Sequence, residues 1–320
     1  MGPLDLAVAN LTSAPVLAFA VGVLATVLRA DIRLPDPVYQ AISMYLLLGI
    51  GIKGGVGLRE ASLEEVALPA LATIALGLTI PVVAFALLRV LTRLGPIDRA
   101  AVAAHYGSTS LVTFTAALLF LEASGEPVEG FAATLLALLE VPGIVVALLL
   151  ARRYRSDGDR WGEALREVVT GRSIVLLVGG LVIGLGTGDA GYAKVEPFFG
   201  AIFSGVLTLF LLEMGVVAGR RLGDVRHAGP GLVVFAVGFP LLTGSVGVLA
   251  GHATGLSVGG AAILGVLAAS ASYIAAPAAV RLALPEANPG VYLGSSLGVT
   301  FPFNLVAGIP LLAALSQALG

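Results

Sequence analysis

The chain has 320 residues, of which 58% are hydrophobic and 12% are charged, and its mean hydropathy is +1.00. Soluble domains contain about 45–50% apolar and about 25% charged residues, so this balance excludes a water-soluble fold. The net charge of −2 argues against nucleic-acid binding, and the lack of cysteine excludes disulfides, thiolate catalysis and cysteine metal sites. The composition therefore predicts an all-α integral membrane protein.

Ten apolar stretches are long enough to be membrane-spanning helices, which need about 20 residues to cross about 30 Å of hydrocarbon. They lie at 14–28, 38–52, 66–91, 99–121, 130–151, 173–187, 197–218, 229–251, 258–282 and 294–318. No Lys or Arg precedes the first stretch, so residues 1–13 are unlike a secretory signal and are expected to form a short tail. No cofactor is expected.

The basic residues predict the orientation, because Lys and Arg are retained on the cytoplasmic side of a membrane. One set of alternating loops contains fifteen of the eighteen basic residues: Arg29, Arg33, Arg89, Arg93, Arg99, Arg152, Arg153, Arg155, Arg160, Arg166, Arg172, Arg220, Arg221, Arg226 and Arg281. The other set contains only Lys53, Arg59 and Lys194. With ten spans, both termini are predicted to lie outside a bacterial inner membrane.

The longest polar segment, 152–172, divides the chain into two halves, 1–151 and 173–320. Within it, Trp161, Leu165, Val168 and Val169 recur at helical spacing, which predicts a short amphipathic helix on the cytoplasmic surface. The alternative is a docking site for a soluble regulator.

The two halves resemble each other. At an offset of 164, Gly51, Gly55, Leu58 and Glu60 align with Gly215, Gly219, Leu222 and Asp224. At an offset of 162, Ser108, Ser110, Ala116, Ala117 and Pro127 align with Ser270, Ser272, Ala278, Ala279 and Pro289. Two five-helix copies must be inserted in opposite directions because five is odd, so the pattern predicts an inverted repeat. The alternative is chance similarity between two sequences rich in Gly and Ala.

Inverted-repeat carriers bind substrate near the midplane, where paired broken helices expose backbone groups and positive N-terminal ends. The fourth and ninth spans both contain crowded hydroxyls. The predicted substrate-binding residues are Gly107, Ser108, Thr109, Ser110, Thr113, Ser270, Ala271, Ser272 and Tyr273. The alternative is that these hydroxyls bond their own helices or neighbouring helices.

Ionisable residues inside a membrane are costly and point to function. Glu140 and Glu213 lie in the middle of apolar spans, where either acid is suited to bind Na+ or carry a proton. The tenth span contains a polar run beside Pro302 that predicts a second unwound stretch. The predicted ion-binding residues are Glu140, Ser295, Ser296, Thr300 and Asn304. Asn304 alone is also explained as an interhelical hydrogen bond.

No catalytic motif is present: HExxH, Gly-x-Ser-x-Gly and a phosphate-binding loop are all lacking. The chain is therefore predicted not to be an enzyme, and secondary transport of a small solute is the favoured function. An intramembrane enzyme and a passive channel are the weaker alternatives.

At these motifs the chain resembles the cyanobacterial sodium-dependent bicarbonate transporters. The matching stretches are GIKGGVGLRE at 51–60, the Gly107, Ser110 and Thr113 framework followed by LEAS at 121–124, PEANPGVYLGSS at 285–296 and IPLL at 309–312. The resemblance implies a homotrimer of ten-helix subunits, each with a gate part and a mobile core. It also implies transport of bicarbonate with Na+ and inhibition by a PII-like cytoplasmic protein.

The departures from this family fall at the predicted site. Tyr273 stands where cyanobacterial members have Asp, and their Ser-Gly-Pro-Pro appears as Ala275, Ala276, Pro277 and Ala278. The central loop is also shorter. Losing a carboxylate weakens a cation site unless Glu140 or Asn304 replaces it, so a carrier of another small anion, such as a monocarboxylate, is the alternative.

Overall fold

The computed structural model describes residues 8, 10–154, 161–225 and 229–320, and throughout them the regular structure is helical. The helices are α1 (Ala14–Val27), α2 (Asp36–Glu60), α3 (Leu63–Leu91), α4 (Pro96–Tyr106), α5 (Leu111–Ala123), α6 (Ala132–Glu140), α7 (Pro142–Arg152), α8 (Trp161–Thr170), α9 (Arg172–Glu196), α10 (Phe203–Val225), α11 (Pro230–Ala253), α12 (Val258–Ala269), α13 (Ala275–Ala283) and α14 (Pro289–Leu319).

Eight helical segments among the described residues are long and apolar enough to cross a membrane, which confirms an all-α multi-pass protein. The two other predicted spans begin with shorter apolar helices, α1 with 14 residues and α12 with 12. At 1.5 Å per residue, α1 is about 21 Å long, less than the hydrocarbon thickness. The prediction of ten spans therefore stays a prediction.

Several helix ends differ from the predicted ends because charged residues near the surface continue a helix. α2 reaches Glu60 although the prediction ended at 52. The predicted end at 187 agrees with a kink in α9, because Gly188 has a non-helical backbone with φ of 57°, and a second helical stretch continues to Glu196. The seventh span begins at Phe203 and not at 197, because a π-helical turn, Pro197–Ala201, joins it to α9. Long basic side chains can extend to the interface, so charge alone does not end a membrane helix.

The fourth and ninth predicted spans are both broken. Residues 107–110 separate α4 from α5, and residues 270–274 separate α12 from α13. Ser110 caps α5, since its Oγ accepts a hydrogen bond from the Thr113 amide at 3.2 Å. The Ser270 hydroxyl donates to the Leu267 carbonyl at 2.9 Å. In both breaks a serine side chain replaces backbone hydrogen bonds that a continuous helix would make.

The predicted unwinding of the tenth span is wrong, because α14 stays helical. It contains two π-helical stretches, Gly294–Thr300 and Asn304–Gly308, each followed two residues later by a proline, Pro302 or Pro310. Proline lacks an amide proton and clashes with the carbonyl four residues earlier. The wider π turn accommodates this defect without opening the helix.

Glycines allow two close helix crossings. A Cβ at Gly180 of α9 would lie 2.8 Å from Gly51 Cα in α2. A Cβ at Gly215 of α10 would lie 3.0 Å from Gly22 Cα in α1. Helix α2 thus pairs with α9, and α1 pairs with α10. The remaining long segments, α3–α7 and α11–α14, pack together as a second group.

The helix predicted within 152–172 is α8, which packs on α13 and α9. Its buried residues are Ala164 and Val168, whereas Leu165 and Val169 are 44% and 50% exposed. Of the predicted apolar face, Val168 is thus buried, whereas Leu165 and Val169 lie on the exposed side and Ala164 takes part in the buried side. The Trp161 side chain and residues 155–160 lie outside the described part of the chain.

Candidate functional site

The two helix breaks lie against each other in the interior of the protein. The Ser110 amide donates to Ser270 Oγ at 3.0 Å, and the Ser272 amide donates to the His105 carbonyl, at the end of α4, at 2.7 Å. Thr109 and Ser270 share a further hydrogen bond of 2.9 Å between their hydroxyls. The non-helical segments thus satisfy each other's backbone groups, as burial requires.

A small cavity of about 10 Å³ lies beside this crossing, with room for one water molecule. Its lining consists of Leu47, Thr109, Ser110, Leu111, Glu140, Ser173, Ser272, Tyr273 and Ile274. Both members of the predicted serine pair, Ser110 and Ser272, line this one space. Leu47 of α2 and Ser173 of α9 form its opposite wall.

Two helices begin at the cavity. α5 starts at Leu111 and α13 starts at Ala275, directly after lining residues Ser110 and Ile274. The first amides of a helix have no intrahelical acceptor, and the aligned peptide dipoles make this end positive. Ser272 Oγ satisfies one of these amides, accepting from Ala276 at 3.2 Å. The remaining positive potential suits a small anion.

Glu140 is the one acidic residue among the described residues that line the cavity. It ends α6, is 7% exposed, and lines the cavity together with Ser173 of α9. A buried carboxylate needs a compensating cation, a proton or strong hydrogen bonds. The cavity therefore combines an anion-attracting end and a group able to hold a cation or a proton.

Five of the predicted substrate residues lie behind the cavity and do not line it. They are Gly107, Ser108, Thr113, Ser270 and Ala271. Gly107 packs against Gly143 of α7, where a Cβ would come within 1.8 Å of the Gly107 carbonyl oxygen. Ser108 is 1% exposed, and its hydroxyl has no hydrogen-bond partner within the described part of the chain. Four lining residues, Leu47, Leu111, Ser173 and Ile274, were missed because nothing in the local sequence marks them.

The structure separates Glu140 from the other predicted ion ligands, which lie on α14. Thr300 donates to the Ala236 carbonyl at 2.6 Å and bonds the Tyr106 hydroxyl at 2.6 Å. Ser295 and Ser296 both donate to the Tyr292 carbonyl, at 3.1 and 2.7 Å. The hydroxyls of Thr300, Ser295 and Ser296 therefore have partners within the protein.

Asn304, the last of this group, belongs to α14 and contacts the carboxyl end of α12, where that helix breaks. Its amide nitrogen donates to the Ala269 carbonyl at 2.8 Å, and its Oδ1 is buried without a partner among the described residues. The interhelical bond proposed from the sequence is thus present. It satisfies a carbonyl that the break leaves without a helical amide.

Glu213, the second intramembrane acid, is not at the cavity. It is 3% exposed, accepts from the Leu34 amide at 2.8 Å and lies 3.7 Å from Arg33 Nε. Arg33 and Leu34 belong to the connection between α1 and α2. Glu213 therefore anchors this connection to α10.

A larger cavity of about 620 Å³ lies between α5 and the pair α2 and α9. Ile50 and Phe114 line it one helical turn from Leu47 and Leu111 of the small cavity. Acidic residues are prominent in its lining: Glu122, Glu126, Glu129 and Glu196, with Lys53 as the basic residue. On the predicted topology this cavity opens to the outside.

Broken helices that cross in the membrane interior beside a cavity with a buried carboxylate are typical of secondary transporters. A sequence profile of the Na+-dependent bicarbonate transporter superfamily matches residues 14–317. The chain therefore belongs to the Na+-dependent bicarbonate transporter superfamily, and it is a membrane transporter and not an enzyme. The family resemblance seen in the sequence is thereby confirmed. A comparison with curated proteins gave no match.

Proposed function

We propose that the protein takes up bicarbonate together with Na+ by alternating access. The observation that carries this proposal is the placement of the α5 and α13 N-terminal ends and of Glu140 around one cavity. The helix ends attract the anion, and Glu140 with nearby hydroxyl oxygens binds the cation. Oxygen ligands of this kind suit a hard ion such as Na+.

The charges favour coupling. An anion about 4 Å from an ionised Glu140 is repelled by about 4 kcal/mol at an effective dielectric constant of about 20. A cation bound between the anion and Glu140 converts this repulsion into attraction. A proton on Glu140 removes the repulsion. The anion is therefore expected to bind well only in company with a positive charge, which is the requirement for symport.

The lining of the small cavity comes from two groups of helices, which favours a mechanism in which one group moves against the other. Leu47 and Ser173 belong to the gate group, α1, α2, α9 and α10, whereas the other lining residues belong to the core group, α3–α7 and α11–α14. At about 10 Å³ the cavity is too small for bicarbonate, so entry requires the two groups to separate. Displacement along α2 by one turn would join the small cavity to the larger one lined by Ile50 and Phe114.

The proposed architecture is ten spans in two inverted repeats. Gly51 and Gly215, equivalent at the offset of 164, occupy equivalent crossings with Gly180 and Gly22. The two breaks are also equivalent at the offset of 162. These two correspondences are spatial, which makes chance similarity of composition a weaker explanation.

The assembly and setting proposed from the family are a homotrimer in the bacterial inner membrane, with both termini outside. A PII-like cytoplasmic regulator is proposed to act through α8. This helix packs on α13, whose first residues adjoin the cavity, so a protein bound to α8 can restrain the core. Residues 155–160 of the same loop, which a regulator could also contact, lie outside the described part of the chain.

The alternative is transport of a monocarboxylate with Na+ or a proton. Tyr273 favours it, because this side chain lines the cavity where the cyanobacterial relatives have a carboxylate. Since Glu140 is the one acid among the described lining residues, its protonation alone removes the repulsion between the site and the anion.

Uptake of labelled bicarbonate into proteoliposomes tests the proposal. We expect accumulation driven by an inward Na+ gradient and abolished when choline replaces Na+. Accumulation driven equally by a proton gradient without Na+ would contradict Na+ coupling. Uptake of labelled formate or acetate, with no uptake of bicarbonate, would support the alternative.

A further inference from the structure

The hydroxyl groups around the cavity differ in whether their protons are already used. A hydroxyl has one proton to donate and two lone pairs to accept with. Ser270 Oγ donates to the Leu267 carbonyl at 2.9 Å and accepts from the Ser110 amide at 3.0 Å. Its remaining lone pair must accept the bond from Thr109, so Thr109 is the donor in that pair. The protons of Ser270 and Thr109 are therefore both committed.

Ser110 is saturated in the same way. Its Oγ accepts from the Thr113 amide at 3.2 Å and from the Thr113 hydroxyl at 3.0 Å. Its single proton is donated to the Tyr273 hydroxyl oxygen at 3.0 Å. Ser110 consequently has no proton left for a ligand, although it lines the cavity.

Two hydroxyl protons stay uncommitted among the lining residues of the two helix breaks, 107–110 and 270–274, namely those of Tyr273 and Ser272. Tyr273 is an acceptor in its bond with Ser110, so its own proton is free to point elsewhere. Its ring packs edge-on against Phe301, with centroids 5.3 Å apart, which holds the phenol at the cavity. Ser272 Oγ only accepts, from the Ala276 amide.

We infer that Tyr273, at the end of the chain of bonds Thr113 to Ser110 to Tyr273, donates a hydrogen bond to the transported anion together with Ser272. Ser110, Thr113 and Ser270 are positioning residues that hold these donors. Each bond in such a chain polarises the next, which strengthens the last donor. The inference rests on the proposed function in requiring that a small anion binds in this cavity.

The hydrogen-bond donors and acceptors at the cavity also give a basis for selectivity between anions. Thr109 donates to Ser270 but keeps free lone pairs at the cavity. Bicarbonate has a hydroxyl that can donate to such an acceptor, whereas formate and acetate have none. Two donors and one acceptor therefore match bicarbonate better than a carboxylate of similar size.

Calorimetric titration of sodium bicarbonate and of sodium formate into the purified full-length protein tests the inference. We expect Tyr273→Phe to bind both anions at least tenfold more weakly. Its ring still packs on Phe301, but the variant should melt somewhat earlier than the parent, because the Ser110 proton loses its acceptor. Tyr106→Phe is the matched control, because Tyr106 bonds Thr300 away from the cavity. It should melt earlier and bind both anions as the parent does.

Replacing Tyr273 with 3-fluorotyrosine tests whether the Tyr273 hydroxyl donates a hydrogen bond to the anion or only fills space. The fluorine makes the phenol a stronger hydrogen-bond donor and leaves its size nearly unchanged. We expect tighter binding of both anions, by about threefold. If the parent protein binds the anions and Tyr273→Phe binds them equally well, the inference is overturned while the proposed function stands. Parental affinity in the fluorotyrosine protein would have the same meaning. A parent that binds neither anion would overturn both the inference and the proposed function.

Discussion

Glu140 and Glu213 are both buried acids within membrane helices, yet their surroundings assign them different roles. Glu213 is held by Arg33 and the Leu34 amide, so its charge is balanced within the protein. Glu140 lines a cavity, and the other polar residues of that lining, Ser173 among them, are uncharged. An acid balanced by arginine has little need of an external cation, whereas Glu140 depends on a cation or a proton.

Glu140→Gln tests this assignment. If Na+ is the coupling ion, the variant should need about tenfold more Na+ for half-maximal uptake, because the charged ligand is lost. Anion affinity at saturating Na+ should change much less. Glu122→Gln, at the outer cavity, is the control and should keep the parental Na+ dependence in proteoliposome uptake. An unaltered Na+ requirement in Glu140→Gln would remove Glu140 from the site and direct attention to Asn304.

Ser272 and Ser270 offer a second test, since they are two residues apart and bond differently. Ser272→Ala removes an uncommitted hydroxyl proton and also the acceptor for the Ala276 amide. Anion affinity should fall about tenfold, because bonds to a charged group contribute about 1.5–3 kcal/mol, while the loss of stability should be no larger than that of Ser270→Ala.

Ser270→Ala removes the acceptor for the buried Ser110 amide, which should destabilise the protein by about 1–3 kcal/mol. Calorimetric titration and thermal unfolding in detergent measure the two effects. Early melting of Ser272→Ala with parental binding would identify its hydroxyl as a structural bond between helices.

At the scale of helices, the glycine crossings decide how closely α2 packs on α9 and α1 packs on α10. Gly180 faces α2, where an added Cβ would lie 2.8 Å from both Gly51 Cα and the Leu48 carbonyl oxygen. Its neighbour Gly179 has open space around it, with no atom within 4 Å of an added Cβ. Adjacent residues of one helix therefore have opposite tolerance for a side chain.

Gly180→Ala should destabilise the protein by about 1–3 kcal/mol, because overlap with backbone atoms forces the helices apart. Gly179→Ala should be neutral or slightly stabilising, since alanine favours helix more than glycine. Thermal unfolding of the two variants in one detergent measures the difference. Gly22→Ala, at the other crossing, should match Gly180→Ala if the halves are equivalent. Equal melting of Gly179→Ala and Gly180→Ala would contradict the close crossing.

At the scale of the whole molecule, orientation is the property that single-cysteine labelling tests best, because the native chain has no cysteine. With both termini outside, Ser124→Cys, after α5, should react with an impermeant maleimide added to intact cells. Ser156→Cys, in the segment outside the described residues, should react only after the cells are opened. Labelling of Ser156→Cys in intact cells would overturn the predicted orientation.

Local sequence determined the membrane class, the helix breaks and the identity of the hydroxyl clusters. Apolar length defines a membrane helix, and Ser110 and Ser270 disrupt a helix through bonds within a few residues of themselves. Such effects need no information from distant parts of the chain. The same local reasoning failed at α14, where π turns accommodate Pro302 and Pro310 and the helix continues.

Only the tertiary structure decided which residues share the cavity and which hydroxyls are free. Leu47 and Ser173 reach it from helices far away in the sequence, and Glu213 is excluded from it by its contact with Arg33. The sequence marked Ser110 and Ser272 as equivalent, but the bond from Ser110 to Tyr273 uses the proton of one and leaves that of the other. Hydrogen-bond direction depends on every neighbour in space, and those neighbours are brought together by helix packing.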